Sequence, residues 1–390
     1  MWSSTHRASR RTRRLGGACA LLLSCGAAWS QGTAALGDQI ETQAVRTQET
    51  AGPHPVDRKP SFVVMPIPMS DPMLGTGLTL AAAALYNPNG SERPWVTGAG
   101  VLATSNGSHA YGAFQQASFL DDRLRVLAFA GKADMNLRFY GIGSAAGEQG
   151  VSVPTRDSGD VVLAQALYGV TKNLFLGLRL QSTHIKTELD LSEVGNRLGV
   201  SLPAIDLDHR TVLLGPALDY DTRDNQFMPR KGDYATLRIG FSSPSLGSDL
   251  SYRNLRAGYA KYWPLNPRWT LAGRVSTCAV DGRVPFPELC LYGAQKDLRG
   301  YPTGQYRDRN LYAAQAELRW HFGERFGAVF FAGTGAVARK YSELLKETQL
   351  PSAGAGLRWM ASKKYGVNVS VDVAVGRDGH AVYFYIGEAF

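Results

Sequence analysis

Leu311-Tyr312-Ala313-Ala314-Gln315-Ala316-Glu317-Leu318-Arg319-Trp320-His321-Phe322 carries two patterns interleaved. Tyr312, Ala314, Ala316, Leu318, Trp320 and Phe322 share one side of an extended chain, and Gln315, Glu317, Arg319 and His321 share the other. Period two belongs to a β-strand, whose successive side chains point to opposite faces. Here one face is free of charge and the other is charged, which is how a membrane barrel divides lipid from a wet lumen. The pattern recurs. Val367, Val369, Val371, Val373 and Val375 alternate with Asn368, Ser370 and Asp372, and Trp269, Leu271, Val275 and Ala279 alternate with Thr270, Arg274 and Ser276. A soluble sandwich would bury its apolar faces against each other, and this many strands favours a barrel instead.

Working outward, runs of about ten strand-like residues recur from Ser61, separated by turn clusters such as Asn87-Pro88-Asn89-Gly90, Asn106-Gly107-Ser108 and Asp121-Asp122. The expected strands are 75–86, 95–105, 109–119, 123–133, 135–140, 160–171, 174–185, 210–220, 232–241, 251–263, 268–280, 310–322, 325–338, 353–361, 365–376 and 380–389. They make sixteen, and an even number suits a bacterial single-chain barrel. Phe62 to Ile67 reads as an extra short strand or a plug-side segment. Long connections fall at 141–159, 186–209, 281–309 and 339–352; if the short turns and both termini face the periplasm, these are expected mostly at the extracellular end. Trp95, Trp263, Trp269, Trp320 and Trp359 lie near strand ends, where a girdle ring finds apolar contact and a wet edge.

The 390 residues include 43 glycines and carry a formal charge of +9. Five of the 42 Lys and Arg fall in residues 1–30, which hold no acid, so 37 face 33 acids beyond them. The basic balance is therefore mostly an export signal, and nothing argues for nucleic acid. Arg7, Arg10, Arg11, Arg13 and Arg14 precede the apolar stretch Leu15 to Ala28, with small-residue cleavage expected after Ala28-Trp29-Ser30. A lipoprotein signal ending at Cys25 is disfavoured by bulky Leu23, and a twin-arginine signal at Ser9-Arg10-Arg11 by charged Arg13. Residues 31–60 are polar and aperiodic and read as a flexible periplasmic segment, which leaves 61–390 for the barrel. Beyond position 30 the longest apolar run, Leu78 to Tyr86, is about half what a transmembrane helix needs. Cys278 and Cys290 flank a predicted turn in an oxidising compartment; a disulfide is one reading and two free thiols the other.

Signals of catalysis are weak. The seven histidines lack paired metal spacing, no Gly-x-Ser-x-Gly elbow occurs, and Gly141-Ile142-Gly143-Ser144 lacks the strand-turn-helix context of a phosphate loop. His184 and Ser182 share a face and read best as polar residues at a strand end. No enzyme activity, cofactor or metal is expected. Three stretches say more. In Asp221-Thr222-Arg223-Asp224-Asn225-Gln226-Phe227-Met228-Pro229-Arg230-Lys231-Gly232, Asp and Asn tolerate turn geometry, Pro229 fixes one φ and Gly232 permits an unusual one. Leu298-Arg299-Gly300-Tyr301 sits inside the long connection 281–309, where the arginine is either solvated or paired with a lumenal acid. The chain ends on Val382, Phe384, Ile386, Gly387 and an aromatic last residue, Phe390.

Together, in this order, these stretches resemble the outer-membrane protein assembly and translocation superfamily, also called the bacterial surface antigen family. Its members include the central barrel of the barrel-assembly machinery and two-partner secretion transporters. The resemblance spans roughly 60–390. It implies an all-β, transmembrane antiparallel β-barrel of about 16 strands with a long loop folded into the lumen. Asp221, Arg223, Asp224, Pro229 and Gly232 correspond to the family's strand-connecting turn. Leu298, Arg299, Gly300 and Tyr301 correspond to the tip of its lumenal loop, and Phe384, Ile386, Gly387 and Phe390 to its C-terminal signal. Arg299 would pair with Glu317, inward by the alternation, through charge-assisted bonds. Many relatives place a second acid on the next strand. Here Gly333 stands at that position, so one arm of the pairing is expected to be missing. Relatives that handle polypeptides carry polypeptide-transport-associated domains before the barrel, and residues 31–60 are too few for one.

Three functions follow as expectations for a bacterial outer-membrane barrel in contact with lipid. The first is insertion or translocation of an unfolded outer-membrane or secreted polypeptide through a weak seam between 75–86 and 380–389, the former rich in small residues from Thr76 to Ala84. The second is a passive, porin-like pore favouring anions, lined by Arg179, Gln181, Arg238, Arg256 and Arg274. The third is a surface or docking barrel for a separate partner, including a periplasmic chain that supplies the missing domains.

Overall fold

A computed structural model describes residues 60–90, 95–192, 204–225, 228–293, 297–362 and 367–390. The expected signal, the polar segment as far as residue 59, and Gln226 and Phe227 of the turn lie outside the described residues. Among those described, sixteen antiparallel strands close into one barrel, with each strand hydrogen-bonded to its sequence neighbours and the first closing on the last.

In chain order the wall is β1 (Ser61–Asp71), β2 (Gly75–Tyr86), β3 (Trp95–Thr104), β4 (His109–Phe119), β5 (Leu124–Phe139), β6 (Val153–Gly169), β7 (Leu174–Leu189), β8 (Ile205–Asp221), β9 (Gly232–Ser242), β10 (Tyr252–Pro264) and β11 (Trp269–Gly282). The small lumenal pair β12 (Cys290–Leu291) and β13 (Arg307–Asp308) follows, outside the wall. The wall resumes with β14 (Asn310–Phe322), β15 (Phe326–Ala338), β16 (Ser352–Ser362), β17 (Val367–Gly376) and β18 (His380–Ile386).

The total of sixteen matches the sequence reading, but two errors cancel within it. Expected strands 123–133 and 135–140 are one continuous β5, because both runs keep the same alternation and only Asp134 lies between them. The stretch around Phe62 to Ile67 is a full wall strand, β1, paired with β2 over eleven residues from Ser61↔Leu85 to Asp71↔Gly75. The seam therefore lies between β1 and β18, not between 75–86 and 380–389. The last strand also stops at Ile386, short of the expected 389. β6 begins at Val153, β7 runs to Leu189 and β8 starts at Ile205, so two of the connections are shorter than expected.

The four strands β5–β8 are 16 or 17 residues long. Their outer faces are apolar up to Ala130, Val162, Leu180 and Val212, then turn polar at Lys132, Asp160, His184 and Arg210, which are successive register partners. An abrupt row of charge on an outward face marks the limit of an apolar environment. Beyond it the strands continue through polar contacts such as the Arg156–Asp134 ion pair (2.5 Å) and the His184–Asp208 hydrogen bond (2.6 Å). The five strand-end tryptophans all fall at the opposite, short-turn end, where Trp269 and Trp320 are register partners with stacked rings 5.4 Å apart. The inner wall is not uniformly polar. Leu127, Phe129, Val161 and Leu163 form a buried cluster on the lumen side of β5 and β6.

Candidate functional site in the barrel lumen

The connection between β11 and β14 does not hang outside the barrel. Its base is held by a disulfide from Cys278 on β11 to Cys290, with Cα atoms 5.8 Å apart. β12 and β13 pair above it. Its apolar side chains make a small core against the wall: Leu289, Cys290, Tyr292, Leu298, Tyr301 and Tyr306 are buried with Leu311, Ala313, Val337 and Leu350. The rings of Tyr292, Tyr301 and Tyr306 meet edge to face with centroids 5.3–6.4 Å apart, a favoured arrangement for aromatic quadrupoles.

Each residue of the Leu298–Tyr301 tip has a seat. Leu298 fills the space that a side chain at Gly333 would need: a Cβ there would stand 2.4 Å from Leu298 Cδ1. Arg299 is fully buried. Its Nη2 donates to Glu317 on β14 and its Nη1 to Asp372 on β17, and the guanidinium lies 3.5 Å above the Phe331 ring. Gly300 has φ +109 and donates its N–H to Tyr383 Oη at 2.9 Å. A Cβ at Gly300 would also meet Ser352 Oγ at 2.9 Å. Tyr301 Oη donates to the Pro351 carbonyl at 2.6 Å and accepts from the Arg377 N–H at 3.0 Å.

The expected gap at Gly333 is thus corrected. The second carboxylate is present but comes from Asp372, which is inward by the period-two pattern yet two strands further round the wall. Gly333 serves a different purpose, as the seat of Leu298.

The pairing extends into a chain of alternating charge. Arg319 donates to Glu317 from Nη2 (2.7 Å) and Nε (2.9 Å). Arg358 donates to Asp372 (2.5 Å) and, through Nε, to Glu388 (2.7 Å). Asp372 also accepts from Tyr385 Oη at 2.5 Å, and Glu388 from Asn368 Nδ2 at 2.9 Å. In the order Arg319, Glu317, Arg299, Asp372, Arg358, Glu388, three guanidiniums meet three carboxylates. Buried ions are tolerable when each is paired, as all six are here; Arg299 Nε alone among the guanidinium nitrogens of Arg299 has no hydrogen-bond partner among the described residues.

Arg319 ties together the other two sequence stretches. Its Nη1 donates to the Pro229 carbonyl (3.3 Å) in the strand-connecting turn and its Nη2 to the Phe390 carbonyl (2.9 Å) at the C-terminus. That turn is held locally. Arg223 forks onto Asp221 at 2.9 and 2.6 Å and lies 3.9 Å over the Tyr234 ring. Asp224 accepts from the N–H groups of Arg230 and Lys231 at 2.9 and 3.2 Å. At Gly232 φ is +106, and a Cβ would lie 2.2 Å from the Thr222 carbonyl. At the C-terminus Phe384 faces outward, and Gly387 takes φ +83 and turns the chain in. Ala389 and Phe390 then pack with Tyr262 and Ala272. Arg319, Arg358, Asp372, Tyr385 and Glu388 escaped the sequence reading as site residues. Alternation placed Arg319 and Asp372 inward, but no spacing in the chain says which of them meet.

At the long-loop end the lumenal loop is roofed. Helix α1 (Ser144–Gln149) lies over it: Gln305 Nε2 donates to the Gly147 carbonyl (3.2 Å), Ser144 Oγ to Glu347 (2.6 Å) and Arg377 to Glu148 (2.9 Å). The arrangement is an ionic latch that fastens a loop, the strand-connecting turn and the C-terminus inside a closed barrel.

No curated protein matches this chain. The family model described as the Omp85 superfamily domain matches residues 73–390. Among solved structures the chain is similar to BamA from Haemophilus ducreyi lacking POTRA domains 1–3, at 15% identity and a TM-score of 0.59, over 85% of this chain and 70% of that one. It is similar to CdiB from Escherichia coli at 13% identity and 0.56, and to CdiB from Acinetobacter baumannii at 10% and 0.53. Each CdiB match covers 85% of this chain but only 63% and 60%, respectively, of the CdiB chain, less than two thirds of its length. At such identities the likeness is one of fold.

Proposed function

Because this chain belongs to the Omp85 superfamily, we propose that it inserts polypeptides into the bacterial outer membrane or passes them across it, with the β1–β18 seam as their point of entry. In this reading the short-turn end faces the periplasm and the roofed end the exterior. The substrate is an unfolded polypeptide with β-strand propensity, the surrounding partner is outer-membrane lipid, and a separate periplasmic chain delivers the substrate. The role requires no covalent chemistry and no cofactor.

The observation that carries it is the seam. β1 and β2 share eleven registered pairs, whereas β1 and β18 share one, Ser70↔Phe384. The β1–β2 register runs unbroken through Pro66 and Pro68, so the N–H groups these prolines lack are missing on the side that faces β18. β18 has seven residues, because the chain leaves the wall at Gly387. A strand edge with unused backbone groups is a template for another strand. Glu388 and Phe390 hang on Arg358 and Arg319, so the seam strand and the lumenal loop share one charge network.

The test is a disulfide between Ser70→Cys and Phe384→Cys. Export or insertion should stop in the oxidised protein and return on reduction. Full activity in the locked protein would exclude the seam as the entry point. A passive pore remains the second reading, favoured by the inward Arg179, Arg238, Arg256 and Arg274.

A further inference from the structure

The inner wall from β7 to β10 gathers three arginines. Arg179 on β7, Arg238 on β9 and Arg256 on β10 line a lumen-side cavity of about 30 Å³ together with Gln181, Asn254 and Gly240. Arg238 and Arg256 are register partners on adjacent antiparallel strands. Like charges set directly opposite each other repel, and arginine cannot relieve this by losing its proton.

Some compensation is built in. Arg238 donates to Asp219 (2.5 Å) and to the Leu218 and Leu237 carbonyls (2.6 and 3.1 Å), so it is turned back toward the wall. Arg179 donates to Gln181 Oε1 at 3.4 Å. Arg256 differs. Its Nε and Nη2 are buried and have no hydrogen-bond partner among the described residues. The acid beside it, Glu288 of the lumenal loop, is itself buried and lies against the hydroxyl of Tyr252, two inward positions along β10. Burial pushes the Glu288 carboxyl up to about 7 despite Arg256, so near neutrality it is only partly charged. Glycine keeps the space open: a Cβ at Gly240 would stand 2.6 Å from Asn254 Oδ1.

We propose that Arg256, with Arg179 and Arg238 beside it, binds a small oxyanion in the lumen, a phosphate or carboxylate group received by the free edge of the Arg256 guanidinium. Two parallel N–H donors on one edge match two oxygens of an oxyanion and discriminate against a spherical ion such as chloride. The inference is independent of the polypeptide-handling role and holds equally for a pore.

The probe is inorganic phosphate, titrated into the refolded full chain in detergent by calorimetry at constant ionic strength against chloride. Saturable binding of one phosphate per chain is expected. Arg256→Gln should weaken it tenfold or more, and Arg256→Lys, which keeps charge but loses the fork, at least threefold. Arg253→Gln, an outward arginine paired with Asp281, should leave it unchanged. Heat-modifiable gel mobility reports whether each variant is folded, and Arg256→Lys carries the test if Arg256→Gln does not fold. Competition by acetate would identify a carboxylate as the natural ligand, and its failure a phosphate. Absence of saturable binding in the wild type, or equal affinity in the Arg256 variants, overturns the proposal.

Discussion

A guanidinium buried between two carboxylates is favourable only while every member is present. Arg299 divides its two terminal nitrogens between Glu317 and Asp372, each of which keeps a second arginine, Arg319 or Arg358. Arg299→Ala removes the shared member and leaves buried charge undercompensated, a defect that typically costs about 3–5 kcal/mol. The urea midpoint of the refolded barrel, followed by gel mobility, should fall accordingly. Arg299→Lys should fall less, because the charge survives and one arm is lost. Glu288 makes a second residue-scale prediction. Its carboxyl is raised by burial from 4.5 to about 7, so the folded chain holds a proton that the unfolded chain has already released. Its contribution to stability is full below pH about 4.5 and is lost as pH rises through about 7. Unfolding midpoints measured between pH 4.5 and 7.5 should decline, and Glu288→Gln should flatten that slope. An unchanged slope would remove Glu288 as its source.

At the scale of elements, the lumenal loop behaves as a miniature domain. It has a disulfide at its base, a two-strand pair, a trio of tyrosines and an ionic tip. Closing the short Cys278–Cys290 loop restricts the unfolded chain by about 3 kcal/mol on the chain-entropy account. Reduction, or paired Cys→Ser substitution, should lower stability by up to that amount and expose residues 283–309 to protease. The tip should hold longer than the base, since Arg299 is anchored independently of the disulfide. Simultaneous loss of base and tip protection would show that the two are one cooperative unit. β1 is the opposite kind of element. Two prolines remove the backbone donors that would fasten it to β18, a feature confined to strand edges elsewhere.

For the whole molecule, the latch is expected to govern how far the lumen conducts. The loop packs its own core against the lumen side of β11, β14 and β15, and α1 lies across the long-loop end. Planar-bilayer recordings of the wild type should therefore show small, fluctuating currents. Arg299→Ala should raise conductance, because the tip loses both carboxylate contacts. Steady, large conductance in both would show that the loop does not close the lumen and would favour the pore.

The sequence by itself determined the architecture and the inward or outward sense of nearly every wall residue. Lipid and lumen impose opposite requirements on alternate positions, and a period of two is visible in one dimension. That is why Glu317, Arg319 and Asp372 were legible as lumenal, and why the turn at 221–232 was legible from Asp, Asn, Pro and Gly. Strand count survives only because a split β5 offsets β1, which reads in the sequence as an extra short strand or a plug-side segment outside the sixteen. What meets across the lumen was beyond reach. Asp372 lies 73 residues from Arg299, and Pro229 and Phe390 lie 90 and 71 residues from Arg319. Only the closure of the barrel, which brings distant strands round to face one loop, chose Asp372 over position 333 as the second acid. The same closure left Arg256 facing Arg238 with donors unspent, since register between neighbouring strands is set by the whole ring and not by either strand alone.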